Sequence, residues 1–263
     1  MIDFHNHVLP NVDDGPKTIE ESIEMLKLAS NQGITDVVNT VHFQHPKMEN
    51  KNVDYNYLLE KVKILKLKLK QENININLHL SAEVFYLPNL VEISNNPLVT
   101  IGNGRYMLIE FSSNIYPTEF ENQFFKLQSK NIIPIVAHPE RYRFVRKDIN
   151  ILEKWLERGY LIQIDAGSIL GFFGKEIQNI THEMIKNKYI SLIGSDAHNS
   201  RKRNFCLSEA NIVLADLTSP EFKDEIMSNS LKVLNGEEIF RFNKANNVKK
   251  NIFSSLIKKI GKL

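Results

Sequence analysis

The stretch IDFHNH, from Ile2 to His7, is an apolar, strand-like run that ends in two imidazoles. His5 and His7 lie two positions apart, so an extended strand points both rings to the same side. Other strand-like runs also end in a histidine or an acid, at His42, Glu83, His138 and the tetrapeptide SDAH (195–198). Imidazole and carboxylate groups bind borderline divalent metals, and they converge only where a fold brings strand ends together. The pattern therefore predicts a metal site.

Strand-like and helix-like segments alternate along the whole chain. Ile34–His42 has the β-branched residues of a strand, and Glu119–Lys130 has the apolar spacing of a helix. The sequence TIEE is typical of a helix start at which Thr18 caps the helix and Glu21 reaches back. Alternating strands and helices imply parallel pairing through crossovers, and about seven such units favour a nearly closed β/α barrel. We predict one α/β domain over residues 1–243.

The last twenty residues differ in composition from the rest of the chain. Residues 244–263 contain six lysines and no acidic residue, and apolar side chains recur at helical spacing from Ile252 to Ile260. A lysine-rich amphipathic helix can lie on anionic lipid, which would bring the protein to a membrane surface. It can equally pack its apolar stripe against the barrel. Both alternatives stay open for this basic C-terminal tail.

Composition excludes several classes of protein. Of the 263 residues 42% are hydrophobic and 24% are charged, which is typical of a folded globular protein. The formal net charge of +2 gives no bulk electrostatic reason to bind nucleic acid. The single cysteine excludes an internal disulfide framework and, with no signal-peptide pattern at the start, predicts a cytoplasmic protein. The oligomeric state stays open, and a homo-oligomer is compatible with the sequence.

In a β/α barrel, functional groups come from the carboxyl ends of the strands and from the loops that follow them. Nine ligand-type side chains fall on this one rim: His5, His7, Asp14, His42, Glu83, Glu110, His138, Asp196 and His198. Asp3 shares the side of His5, and we expect it to support a histidine from below. We expect Asp165, at the end of another strand, to be structural. The set predicts a hydrolase with several metal ions that acts on phosphate esters.

Four other side chains are assigned ordinary roles. His45 follows a strand end and can donate to a substrate, but we favour a solvated loop residue. We expect His79 inside the barrel and His182 on a helix surface. Cys206 lacks the arginine six residues further on that a cysteine-based phosphatase loop needs. We therefore expect Cys206 to be a buried helix residue.

Four segments resemble a known family: DFHNH (3–7), VDDG (12–15), AHPERY (137–142) and GSDAHN (194–199). They resemble the polymerase-and-histidinol-phosphatase (PHP) superfamily. More narrowly, they are similar to its bacterial manganese-dependent protein tyrosine phosphatases, which regulate capsule and exopolysaccharide synthesis. The VDDG and AHPERY segments favour this branch over the rest of the superfamily, and the resemblance extends from Met1 to about Phe240.

The resemblance implies a distorted (β/α)7 barrel of the PHP type with three divalent metal ions, manganese being favoured over iron or zinc. All nine rim side chains fall on ligand positions, Arg141 on the catalytic arginine and Arg203 on a second phosphate-binding arginine. The implied reaction is attack of a metal-bridging hydroxide on phosphotyrosine, with a membrane-anchored bacterial tyrosine kinase as the implied substrate. A small-molecule phosphatase, such as histidinol-phosphate phosphatase, is the alternative. A non-catalytic phosphotyrosine-binding module is disfavoured, because no ligand position is missing.

Overall fold

A computed structural model describes residues 1–48 and 54–239 of the chain. The described residues form one parallel sheet in chain order, with strands β1 (Ile2–Asn6), β2 (Asp36–Phe43), β3 (Asn77–Phe85), β4 (Tyr106–Glu110), β5 (Ile133–Ala137), β6 (Leu161–Asp165) and β7 (Leu192–Gly194). Beyond β7 the chain returns to β1, where the His7 N–H donates to the Ala197 carbonyl at 2.8 Å. The sheet is therefore a nearly closed barrel, which confirms the predicted fold class.

The connections between the strands are mostly helical. The described helices are α1 (Ile19–Asn31), α2 (Tyr55–Gln71), α3 (Leu90–Ile93), α4 (Phe120–Ser129), α5 (Arg143–Lys147), α6 (Asn150–Glu157), α7 (Ala166–Leu170), α8 (Lys175–Lys186), α9 (Leu207–Leu217) and α10 (Pro220–Asn235). Short 3-10 turns lie at Pro97–Val99 and Pro139–Arg141. In the described part of the chain, none of these helices is both long and apolar enough to cross a membrane. The predicted tail, 244–263, lies outside the described residues.

The predicted start of α1 forms with one difference. The Glu21 N–H donates to Thr18 Oγ1 at 3.3 Å, so Thr18 caps the helix as predicted. The Glu21 carboxylate, however, accepts from the Lys17 N–H at 2.6 Å, one residue before the capping position. The helix ends just before Gly33, whose φ of +79° suits a residue without a side chain.

Two apolar layers hold the barrel together. The larger layer lies between the sheet and the helices and contains the fully buried Trp155. The inner layer consists of alternate strand residues that face the barrel axis: Ile2, Phe4, Val38, Tyr106, Leu108, Ile133, Ile135, Leu161 and Leu192. Leu108 and Ile135 are register partners, so they lie at the same height inside the barrel. Val233 and Ile239 complete this inner cluster from the C-terminal side of the chain.

The segment after α10 covers the amino-terminal end of the barrel. The Tyr106 hydroxyl donates to the Glu237 carbonyl at 2.5 Å, and the Arg105 guanidinium donates to the Gly236 carbonyl at 3.1 Å. Gly102 approaches this segment so closely that a β-carbon there would lie 2.1 Å from the Val233 carbonyl oxygen. These contacts close the amino-terminal end of the barrel. The nine predicted ligand side chains lie at the opposite, carboxyl-terminal end.

Two histidines differ from their predicted surroundings. His79 lies near the start of β3, where its ring is 35% exposed and its Nε2 lies 3.0 Å from Asp36 Oδ1. His79 is the register partner of Val38 of the inner cluster, so it faces the barrel axis as predicted, but it lies at the amino-terminal rim and is not enclosed. His182 was expected on a helix surface, but it is partly buried and its Nε2 lies 2.9 Å from the Ile169 carbonyl of α7.

Removing the Tyr106 hydroxyl should lower the free energy of unfolding by about 1 kcal/mol, because the Glu237 carbonyl would lose its hydrogen bond. Urea unfolding of Tyr106→Phe tests this expectation. Tyr57→Phe is the matched control, since Tyr57 lies on α2 and is 37% exposed. An unfolding midpoint for Tyr106→Phe equal to that of the wild type would contradict a stabilising role for the hydroxyl.

Candidate metal centre

The nine predicted ligand side chains meet at the carboxyl-terminal end of the barrel. They come from β1 and the loop after it (His5, His7, Asp14), from β2, β3 and β4 (His42, Glu83, Glu110), and from the loops after β5 and β7 (His138, Asp196, His198). Seven of the nine are buried, whereas the side chains of Asp14 and Glu110 are 45% and 19% exposed. The topology therefore brings together groups that lie up to 193 residues apart in the chain (5 to 198).

These side chains, together with His45, form overlapping groups in which the possible ligand atoms lie within 4.8 Å of one another. The groups are His7, Asp14, His42 and His198; His5, His7 and Asp196; His5, Glu83 and His138; and His42, His45 and Glu110. Each group offers the imidazole and carboxylate mixture that borderline divalent ions accept. His5, His7 and His42 each belong to two groups, which is the arrangement expected of neighbouring ions that share a site.

The ring orientations of His5 and His7 fit a metal site. His5 Nδ1 lies 3.0 Å from Gln163 Oε1, and His7 Nδ1 lies 2.8 Å from Asp13 Oδ2. Both partner oxygens only accept hydrogen bonds, so each Nδ1 carries the proton and each Nε2 presents a lone pair. The two Nε2 atoms are buried and have no hydrogen-bond partner among the described residues. Histidine ligands are held in this way by an outer partner in known metal sites.

The electrostatics of the rim also favour bound cations. Burial and the neighbouring His7 lower the pKa of His42, but Asp14 and Glu83 outweigh them and raise it to about 10. Burial, followed by the charge of Glu83, raises the pKa of Glu110 to about 7. Burial would also raise the pKa of Asp196, yet nearby cationic groups lower it well below its usual range. The buried carboxylates thus require positive charge close by, and metal ions can supply it.

The backbone is shaped to place these ligands. His138 and Asp196 have φ values of 31° and 49°, in the left-handed region that residues with a side chain seldom adopt. Gly194 permits β7 to lie against β1, because a β-carbon there would lie 2.5 Å from His5 Cβ. Gly15 similarly permits its loop to fold against the His7 carbonyl, at 2.4 Å from an added β-carbon. These two glycines and the two residues with positive φ therefore serve the same purpose: they let the ligand-bearing segments lie close to one another.

The two predicted arginines lie beside the ligand cluster. Arg141 NH1 lies 2.8 Å from Asp196 Oδ2, and its NH2 is paired with Asp165. Arg203 NH2 lies 2.5 Å from the same Asp196 oxygen. Both guanidinium groups line one small cavity of about 140 Å³ together with the ligand-type side chains. Planar guanidinium groups in this position are suited to bind the oxygens of a phosphate group.

Several functional side chains of this rim were missed. Asp13 orients His7 and Gln163 orients His5, and the centroid of the Phe173 ring lies 4.1 Å from the Arg141 guanidinium carbon. The acidic pair in the VDDG segment was a usable signal for Asp13, whereas nothing in the sequence around Gln163 or Phe173 indicated these contacts. Asp165 orients Arg141, which goes beyond the structural role that was predicted.

Asp3 contacts a histidine in another way than predicted. Its carboxylate accepts from the Asn6 side chain at 2.9 Å and from the Ser195 N–H at 3.1 Å, and it contacts no histidine ring. It ties β1 to the loop after β7, and it also accepts from the backbone N–H of His5 at 3.3 Å. Burial raises the pKa of Asp3 to about 6.

His45 also differs from its prediction as a solvated loop residue. Its side chain is only 14% exposed and it lines the same cavity as the arginines. Cys206, by contrast, is buried as predicted and lies at the N-terminal cap of α9. Burial, followed by the charge of Asp3, raises the pKa of its thiol, so the thiolate that a nucleophile needs is disfavoured.

Comparison with known proteins agrees with this geometry. The family model for capsular polysaccharide synthesis proteins, CpsB/CapC, matches residues 1–235. The chain belongs to the CpsB/CapC family. It is 37% identical over 214 residues to CapC of Staphylococcus aureus, covering 80% of this chain and 81% of that protein. It is 33% identical over 243 residues to the tyrosine-protein phosphatase YwqE of Bacillus subtilis, covering 92% and 94% of the two chains.

Solved structures extend the comparison to the fold. A chain from the crystal structures of YwqE from Bacillus subtilis and CpsB from Streptococcus pneumoniae, described as unique metal-dependent tyrosine phosphatases, matches with a TM-score of 0.85 and 32% identity. The match covers 92% of this chain and 97% of that chain. A histidinol phosphate phosphatase from Lactococcus lactis, at 13% identity and a TM-score of 0.53, covers 83% and 94% and shares the fold. The resemblance drawn from the four sequence segments is therefore confirmed.

In this member of the CpsB/CapC family, Asp13→Asn should weaken binding of Mn²⁺ about tenfold to a hundredfold, because the carboxylate that orients His7 is lost. Calorimetric titration of the metal-free protein with Mn²⁺ measures the change. Asp216→Asn is the control, since Asp216 is exposed on α9. Equal Mn²⁺ affinities for the two variants would contradict the orienting role of Asp13.

Proposed function

We propose that this protein is a metal-dependent phosphotyrosine-protein phosphatase that acts in capsule or exopolysaccharide synthesis. The observation that carries this proposal is a cavity at the carboxyl-terminal end of the barrel, which Arg141 and Arg203 line together with ligand-type side chains. The membership of the CpsB/CapC family and the names of its tyrosine-phosphatase relatives support the same reaction. The names of these relatives support phosphotyrosine as the substrate, whereas the lining of the cavity supports metal-dependent hydrolysis of a phosphate ester.

We propose three divalent metal ions as the cofactors, with manganese favoured and iron or zinc as alternatives. The proposed ligands are His5, His7, Asp14, His42, Glu83, Glu110, His138, Asp196 and His198, and the overlapping groups that they form support this assignment. When bound, the ions would supply Lewis acidity, which acidifies a water molecule and offsets the charge of a phosphate group. The lone pairs on Nε2 of His5 and His7 support the fit, because both Nδ1 atoms are occupied by outer partners.

The arginines would complete phosphate binding in this proposal. Asp165 and Asp196 hold the Arg141 guanidinium by its nitrogen atoms, and Phe173 covers one of its faces. The group therefore needs little reorganisation to donate two parallel hydrogen bonds to phosphoryl oxygens. Arg203 is 34% exposed and would contact the phosphate from the solvent side. The leaving phenolate has a conjugate pKa of about 10, so it needs less protonation than an alkoxide.

The dimensions of the cavity favour a protein substrate over a metabolite. The cavity of about 140 Å³ is smaller than the roughly 300–1,000 Å³ of pockets that enclose small molecules. It can accept a phosphoryl group while the rest of the substrate stays outside. Asp14 and Arg203, both partly exposed, form part of its mouth. The alternative of a histidinol-phosphate phosphatase is therefore not favoured.

We also propose that the physiological substrate is a membrane-anchored tyrosine kinase and that the protein acts in the cytoplasm, at the inner face of the membrane. The composition of the tail, with six lysines and no acid in residues 244–263, supports this location. A basic segment gains about 1 kcal/mol for each lysine near an anionic membrane surface.

Deletion of residues 249–263 should lower binding to phosphatidylserine-containing liposomes, because five lysines are removed. Liposome co-sedimentation measures this loss, and neutral phosphatidylcholine liposomes are the control. Hydrolysis of a soluble phosphotyrosine peptide should stay at the wild-type rate, since the barrel is intact. Unchanged binding to the anionic liposomes would contradict the proposed membrane contact.

The purified protein with Mn²⁺ should hydrolyse a phosphotyrosine peptide faster than histidinol phosphate. Arg141→Lys should lower kcat/KM for the peptide about a hundredfold, because a lysine keeps the charge and loses the planar pair of donors. Steady-state release of phosphate measures both effects. Cys206→Ser is the control and should keep wild-type activity, since no thiol nucleophile takes part. Activity that survives strong chelation, or that disappears in Cys206→Ser while the fold is retained, would contradict the proposed function.

A further inference from the structure

His45 lies in the loop after β2, on a part of the rim away from the two arginines. The arginines belong to the loops after β5 and β7, so the three side chains reach one cavity from different directions. The His45 ring is 14% exposed, and its Nε2 points to Glu110 with a separation of 3.8 Å from Oε2. This distance is too long for a hydrogen bond. His45 therefore makes no hydrogen bond to Glu110, and since it lines the cavity, its Nε2 can donate to a group bound there.

Three contacts fix the position of the His45 ring. Its centroid lies 4.6 Å from that of His42, and 5.2 Å from that of Phe85 in an edge-on arrangement. The Lys47 N–H donates to His45 Nδ1 at 3.2 Å. These contacts come from a neighbouring imidazole, an aromatic side chain and the loop backbone. The ring is thus held in one orientation before any substrate binds.

The contact with Lys47 also determines which ring nitrogen can donate. A backbone N–H only donates, so Nδ1 of His45 must accept, and the proton of the neutral ring lies on Nε2. A protonated Nε2 cannot bind a metal ion, but it can donate a hydrogen bond into the cavity. The tautomer is the opposite of that in His5 and His7, whose Nδ1 atoms donate to Gln163 and Asp13. His45 therefore differs chemically from the proposed ligands that surround it.

We propose that His45 is a further substrate-contacting residue, which donates a hydrogen bond from Nε2 to a phosphoryl oxygen. This inference rests on the proposed phosphatase function, because it takes a phosphate group as the occupant of the cavity. His45 complements the arginines, which approach the same group from the Asp196 side. A hydrogen bond to a charged oxygen in a partly buried cavity is stronger than one between neutral groups.

Two variants of His45 show whether its ring acts as a hydrogen-bond donor, as a packing group or as a metal ligand. His45→Phe keeps a ring against His42 and Phe85 but removes the donor, whereas His45→Gln keeps an N–H close to the position of Nε2. His79→Phe is the matched control, because His79 lies at the amino-terminal end of the barrel. Each protein is loaded with Mn²⁺, and three quantities are measured: bound Mn²⁺ per chain, affinity for inorganic phosphate by calorimetry, and kcat/KM for a phosphotyrosine peptide.

We expect His45→Phe to bind inorganic phosphate about tenfold to a hundredfold more weakly and to lose kcat/KM by a similar factor. The Mn²⁺ content of His45→Phe should equal that of the wild type. His45→Gln should recover most of the phosphate affinity and of kcat/KM. His79→Phe should keep the wild-type values of both. A loss of Mn²⁺ in His45→Phe would overturn the proposal in favour of a metal ligand. Wild-type phosphate affinity in His45→Phe would overturn it as well.

The phosphate titration separates this inference from the proposed function. If the wild-type protein does not hydrolyse the phosphotyrosine peptide, the proposed function fails, and the phosphate affinities of the variants still test His45. If the wild-type protein binds no inorganic phosphate in the presence of Mn²⁺, the role of His45 is refuted directly.

Discussion

The rim depends on one buried carboxylate, that of Glu83, which lies among four imidazoles. Its oxygens lie 3.3 Å from His5 Nε2, 3.5 Å from His7 Nε2, 3.1 Å from His42 Nδ1 and 2.8 Å from His138 Nε2. These rings come from β1, β2 and the loop after β5, so Glu83 on β3 is the common neighbour of several barrel segments. A buried charge of this kind is stable only when opposite charge and hydrogen bonds surround it. The proposed cations would meet this requirement and draw the ligands into one site.

The fold supplies the rigidity that such a site needs. The Tyr142 hydroxyl donates to the Ala137 carbonyl at 2.7 Å and accepts from the Phe111 N–H at 2.8 Å, so it joins the ends of β4 and β5. His138, the residue after Ala137, has a left-handed backbone conformation that the surrounding contacts maintain. Arg141 follows one short turn later. The AHPERY segment thus places a strand end, a proposed metal ligand and the proposed phosphate-binding arginine within six residues, and Tyr142 fixes their relative positions.

Much of the fold and of the rim was predictable, because both depend on local patterns. Apolar periodicity placed the named elements within two residues: the helix predicted over Glu119–Lys130 is observed at Phe120–Ser129, and the strand predicted over Ile34–His42 at Asp36–Phe43. Strand ends meet on one rim in any parallel barrel, so the convergence of the nine proposed ligands was predictable from their positions in the chain. The partners of the ligands were not predictable in this way. Gln163 contacts a histidine 158 residues away, and the donor nitrogen of His45 is fixed by a backbone contact that no residue type reveals.

The three metal ions that we propose at the nine rim side chains, in one cavity beside Arg141, can be located by anomalous diffraction. Crystals of the Mn²⁺-loaded protein, with data recorded at the manganese absorption edge, should show three anomalous peaks within coordination distance of the nine proposed ligands and none bound to His45 Nε2. Full Mn²⁺ loading with no peak at this rim would show that these side chains do not hold the ions.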